Sequence, residues 1–255
     1  MTAASTVDAW RLAVGTLTAW PVRPPRAVDH LTAGRAMVLA PVAVLPLAIG
    51  ATVVALGGQE LGISPLVTGL LVVGLLALGT RAFHLDGLAD TADGLTSSYD
   101  RDRTLAVMRS GDVGPAGAAA LVLVLGLQAA GAASLVAAGD AALVGAAVLL
   151  SRSVLVVVCS RAVPAGDGSG LGATMAQSVP LPVAVVAHAG WAALLVGACV
   201  LADVPWWHGL AAAAAALVVL GLLLRRAHRR IGGVTGDVMG AGIELTLATV
   251  LVVLS

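Results

Sequence analysis

Apolar runs long enough to cross a bilayer follow one another along most of this chain, at roughly 36–57, 63–83, 115–138, 141–160, 183–202, 206–224 and 238–254. A run of about 20 apolar residues is the length of a spanning helix, and backbone groups inside a bilayer must pair within their own segment. The expected fold is therefore all-α, a polytopic membrane helix bundle of about seven transmembrane helices. With 59% hydrophobic and 11% charged residues, a soluble globule would lack the polar surface to cover its interior. The apolar content is mostly Ala, Val, Leu and Gly, small residues that let spanning helices pack closely.

The arginines orient the bundle. All fourteen basic residues are arginine. Most of them fall in the N-terminal segment, the 84–114 loop, the 161–182 loop and the run Arg225-Arg226-Ala-His228-Arg229-Arg230. Glu60, Asp140 and Asp203 mark the opposite side. By the positive-inside rule the arginine side and the N-terminus are cytoplasmic, on a membrane crossed several times. Residues 1–255 read as one membrane domain. Residues 1–34 are an interfacial lead-in, in which a short helix from Trp10 toward Trp20 stops at Pro21-Val-Arg23-Pro-Pro-Arg26. The 84–114 loop carries an acidic motif and 225–244 a second one. No basic start with a short apolar core and cleavage site marks a signal peptide. The zero net charge gives no reason to expect a nucleic-acid partner. Cys159 and Cys199, each within an apolar run, read as packing residues.

Asp86, Asp90 and Asp93 stand at i, i+4 and i+7, within about 60° of one another if the preceding helix continues. Like charges at this spacing repel, so the arrangement favours a cation against it. An all-oxygen set suits Mg2+, Mn2+ or Ca2+. Gly87 and Gly94 flank the acids and would allow a ligand close to the backbone. Asp237 and Glu244 are seven apart on one face of the last helix, with Gly240 leaving that face open. Carboxylates at such a place are seldom ornamental. The two clusters are expected to converge on a site for one or two divalent ions that grip phosphate oxygens.

Other polar groups divide less cleanly. Arg109 stands before a glycine-rich break and can serve phosphate or a surface pair. Arg101 and Asp102 read as a surface pair. Arg152 sits inside the fourth apolar run, where it needs a carboxylate or a cavity to face. The Gly166–Gly172 loop can bring backbone N–H groups to an anion. His84 projects about 160° away from Asp86 on a continuous helix, which favours a packing or interface histidine over a catalytic base. His188, His208 and His228 read as interface residues.

Taken together, His84-Leu-Asp86-Gly-Leu-Ala-Asp90-Thr-Ala-Asp93-Gly94, Met108-Arg109 and Gly232-Gly-Val-Thr-Gly-Asp237-Val-Met-Gly-Ala-Gly-Ile-Glu244 resemble the cobalamin synthase family, adenosylcobinamide-GDP ribazoletransferase. The Leu17–Pro24 lead-in, Ser151-Arg152 and Gly170-Leu171-Gly172 match in order and spacing, so the resemblance covers nearly the whole chain. It implies a transferase of phosphorus-containing groups that joins adenosylcobinamide-GDP to alpha-ribazole or its 5'-phosphate, releases GMP and uses Mg2+. It further implies Asp86, Asp90, Asp93 and Asp237 as catalytic residues. Those four with Glu244 become the expected metal ligands, and Arg109, Arg152, Gly233 and Thr235 the expected phosphate-binding residues. Oligomerisation stays open. The chain departs from the family pattern at Ser110 and Asp112, and at Gly168-Ser169 before the Gly-Leu-Gly run. Two other classes fit parts of the pattern. A CDP-alcohol phosphotransferase would carry Ala-Arg after Asp-Gly-x-x, where Ala89 is followed by Asp90 here. A divalent cation transporter would spread its acids through the membrane depth.

Overall fold

The computed structural model describes residues 6–166 and 170–255. Twelve helices make up the ordered architecture of the described residues: α1 Thr6–Leu17, α2 His30–Ala43, α3 Leu45–Glu60, α4 Pro65–Gly79, α5 Phe83–Ser97, α6 Arg101–Met108, α7 Pro115–Ala138, α8 Leu143–Val158, α9 Gly170–Met175, α10 Leu181–Leu201, α11 Trp206–Ile231 and α12 Gly236–Leu254. The result is a polytopic membrane helix bundle, with only two isolated β-bridges among the described residues.

Among the described residues, five helical stretches are long and apolar enough to cross a membrane: α2–α3 together, α7, α10, α11 and α12. The count rises to six if α4 and α5 form one broken span. The run at 141–160 becomes α8, apolar but only 16 residues long. It sits at the bundle centre, with nearly every side chain buried, and packs against α2, α3, α10 and α12. Helix ends follow from local sequence. Asp29 caps α2 by accepting from Thr32 N at 2.7 Å, and Pro115 opens α7 where a missing N–H costs nothing. Gly139 closes α7 at φ 93°, a left-handed position that glycine takes without strain.

The helix of the 63–83 run does not continue into the aspartates. It stops at Gly79, Arg81 and Ala82 adopt φ of 58° and 56°, and α5 leaves at 94° to α4. Left-handed backbone at two non-glycine residues costs about 1–2 kcal/mol each. The turn is held by the end of α1, since Arg81 Nη2 donates to Gly15 O at 2.7 Å and Ala19 N to Gly79 O at 2.7 Å. Thus the lead-in forms the short helix that its sequence suggests, and its end braces the turn that aims the acidic helix. The 84–114 segment, read from sequence as a loop, is mostly the two helices α5 and α6.

Candidate active site

The site is a helix crossing. α5 and α12 pack closely because glycines face each other's backbone. A Cβ on Gly87 would lie 2.9 Å from Asp237 O and 3.0 Å from Asp237 Cα. One on Gly240 would lie 3.2 Å from His84 Cα. Helices approach this closely only where side chains are absent. The glycines therefore admit a neighbouring helix, not a ligand as their positions suggested. Gly94 likewise accommodates the side chain of Met108.

This contact brings the two acidic clusters together. Asp86 is exposed, Asp237 half-buried and Asp90 buried, with 8% exposure, and the negative charges of Asp86, Asp237 and Asp93 bear on Asp90. Arg109, at the end of α6, faces the same opening, its charge acting on Asp237. A small cavity beside them is lined by Arg109, Gly172, Thr235, Gly236 and Asp237. Thr235 caps α12, accepting from Val238 N at 3.4 Å and donating to Asp237 Oδ2 at 3.3 Å. An apolar cleft of about 110 Å³ runs inward from Asp86 and Asp237 between Leu17, Met37, Leu155 and Ile243.

Four of the residues expected in the site are engaged elsewhere. Asp93 shares α5 with the other two acids, but its oxygens accept from Gly114 N at 2.7 Å and Gly117 N at 2.9 Å. It caps the N-terminus of α7, whose partial positive charge suits a carboxylate. Glu244 lies two turns into α12, about 10 Å deeper than Asp237 at 1.5 Å per residue. There it accepts from Gln128 Nε2 at 2.8 Å, stands 3.7 Å from His84 Nδ1 and faces the charge of Arg152. Glu244, expected as a metal ligand, is thus engaged in a buried polar pairing. Arg152 is 1% exposed and donates to Ser151 Oγ at 2.7 Å, so it cannot reach a phosphate at the opening. Gly233 is also structural. A Cβ there would clash with the carbonyl of Pro164, and the missing side chain permits Val234 N to donate to Pro164 O, and Gly166 N to Val234 O, each at 2.9 Å.

The sequence reading missed several contributors. Gln128 lies buried in an apolar run, a signal available from the cost of burying an amide. Arg101 does pair with Asp102 at 3.8 Å, but it also donates to Ile231 O at 3.1 Å and Gly166 O at 2.7 Å. That ties the end of α11 to the loop beside the site. His188 is a core residue at 2.9 Å from Ser153 Oγ, not an interface one. In the Gly166–Gly172 loop, residues 167–169 lie outside the described residues, while Gly172 packs on Gly236 N. Cys159 and Cys199 are buried and free, as packing residues.

Among the described residues, no three carboxylate, histidine or cysteine side chains stand close enough to hold a metal ion by themselves. What the crossing supplies is an oxygen-rich, negatively charged rim formed by Asp86, Asp90 and Asp237. It faces an arginine and a helix N-terminus, with an apolar cleft beneath.

A family model described as cobalamin-5-phosphate synthase matches residues 9–255. A protein of Nocardioides sp. named adenosylcobinamide-GDP ribazoletransferase is 51% identical over 96% of this chain and 96% of its own length. Proteins of the same name from Frankia casuarinae and Pseudomonas aeruginosa are 37% and 35% identical, over 96% and 94% of this chain and 93% and 94% of theirs. No solved structure matches the chain. On the family match across nearly its entire length, the chain belongs to the cobalamin-5-phosphate synthase family.

Proposed function

We propose that the chain joins adenosylcobinamide-GDP to alpha-ribazole or its 5'-phosphate and releases GMP, at a site opening on the cytoplasmic side of a bacterial inner membrane. The observation that carries the reading is the crossing of α5 on α12 at Gly87 and Gly240. It sets Asp86, Asp90 and Asp237 around one opening, across from Arg109.

Mg2+ fits this donor set. The ligands on offer are oxygens only, and Mg2+ is typically held by one or two carboxylates with waters and substrate phosphates, so a three-ligand protein cage is not required. One or two of Asp86, Asp90 and Asp237 would hold it, with waters and substrate phosphates as the other ligands. When bound, it neutralises charge on a diphosphate.

The chain's own groups do the rest. Arg109, the backbone N–H groups at the start of α12 and the Thr235 hydroxyl bind and orient the diphosphate. The apolar cleft takes the unpolar part of the ribazole, and its walls exclude water from the acceptor. A ribazole hydroxyl attacks the corrinoid-linked phosphorus, forming a new P–O bond. The bond from that phosphorus to the bridging oxygen breaks, and the oxygen leaves with GMP. The hydroxyl proton passes to a carboxylate of the rim. Asp93 and Glu244 act at a distance: one fixes α7 against α5, the other fixes α12 against α7. The transporter reading loses its deep carboxylate, because Glu244 is already engaged by Gln128 and His84.

The test is incubation of the purified protein with both substrates, with and without Mg2+. GMP formation that needs both substrates and Mg2+ supports the reading; no GMP under any condition ends it.

A further inference from the structure

The end of α11 carries four arginines whose duties are split by the helix period. Arg226 and Arg230 turn inward: Arg226 Nη2 donates to Leu95 O at 2.9 Å, Arg230 Nη1 to Ser98 O at 2.6 Å, and Arg230 lies over the Tyr99 ring at 3.8 Å. Both thereby grip the C-terminal end of α5. Arg225 and Arg229 instead continue the line of Val218 and Leu222, at i, i+4, i+7 and i+11. These four positions fall within about 60° around the helix. Val218 and Leu222 are 62% and 61% exposed on a helix apolar enough to span, so they face lipid. The stripe thus changes from acyl-contacting to cationic within one turn. There an open groove of about 600 Å³ is lined by Tyr99, Leu222, Arg225, Arg226, Arg229 and Arg230.

We propose that this groove binds the headgroup of an anionic phospholipid, with an acyl chain along Val218 and Leu222 and the phosphate between Arg225 and Arg229. Solvated arginines that only mark topology would need no groove and no apolar wall leading into it. A soluble phosphate-bearing ligand would gain nothing from the lipid-facing stripe, whereas a phospholipid uses both halves. Because Arg226 and Arg230 link the same helix end to Leu95 and Ser98, the lipid would sit one helix away from the acidic rim. The site does not depend on the proposed reaction.

The test is native mass spectrometry of the full chain in neutral detergent, titrated with phosphatidylglycerol or phosphatidylcholine of matched acyl chains. A basic residue near the headgroup is worth about fivefold in affinity. The wild type should therefore prefer phosphatidylglycerol by about 25-fold, and Arg225→Gln/Arg229→Gln should remove that preference. Arg225→Lys/Arg229→Lys should keep most of it. Arg103→Gln/Arg161→Gln, which lowers the charge equally on exposed residues elsewhere, should leave it unchanged. The proposal is overturned if the two lipids are held equally, if the two glutamine pairs behave alike, or if millimolar inorganic phosphate displaces the lipid.

Discussion

Gly87 of α5 rests directly on the backbone of Asp237 of α12, with room for a hydrogen and not for a methyl group: a Cβ there would stand 2.9 Å from Asp237 O. Two carboxylates 151 positions apart in sequence, Asp86 and Asp237, share one opening because of this contact. Gly87→Ala must push the helices apart or shift α5 along α12. Overpacking of this kind costs about 1–3 kcal/mol, and a displacement near 1 Å costs on the order of a hundredfold in rate. Steady-state kinetics should show that loss in kcat/KM. Gly126→Ala, where a Cβ meets nothing within 4 Å, should leave it unchanged.

Asp93 and Asp86 should separate by phenotype. Asp93→Ala removes the acceptor for Gly114 N and Gly117 N and should cost about 1–2 kcal/mol of stability, read as a lower melting temperature in detergent. Asp86→Asn touches no such bond and should melt like the wild type while losing turnover. If both variants melted alike and lost turnover alike, the assignment of Asp93 to capping would be wrong.

Burial of Arg152 and Glu244 makes a different prediction. The two are not in ion-pair contact, but the Arg152 charge acts on Glu244, so removing it leaves the buried carboxylate with only Gln128 and His84 to offset its charge. Arg152→Leu alone should therefore destabilise the bundle more than Arg152→Leu/Glu244→Gln does, as measured by thermal unfolding. The double variant should retain the wild-type Mg2+ requirement, which a metal-ligating Glu244 would not allow.

How far the sequence alone reaches can be seen in individual residues. Asp86 and Asp90 were legible because the 3.6-residue period needs only local order. Their meeting with Asp237 was foreseeable because membrane carboxylates seek company. The partner of Asp93 was not legible, since nothing local to either segment says that Gly114 N and Gly117 N will arrive beside it. The cost of a buried charge implied a partner for Arg152 but could not choose Glu244 over a substrate. Gly79 marks an end to the helix before Arg81 and Ala82, but neither of those two residues signals the left-handed turn they make. It exists because the end of α1 holds it, a tertiary cause. Glycines were recognised as places of close approach, but whether a helix or a ligand approaches depends on a neighbour that the local pattern does not specify.

The most direct measurement is GMP release from adenosylcobinamide-GDP and alpha-ribazole across an Mg2+ titration, comparing the wild type with Asp86→Asn/Asp90→Asn. The expected result is release that depends on both substrates and on Mg2+, and that falls by at least roughly a hundredfold in the double variant while its melting temperature stays put. Turnover by the double variant at the wild-type rate, with the same Mg2+ response, would contradict a phosphate-gripping acidic rim at the α5–α12 crossing.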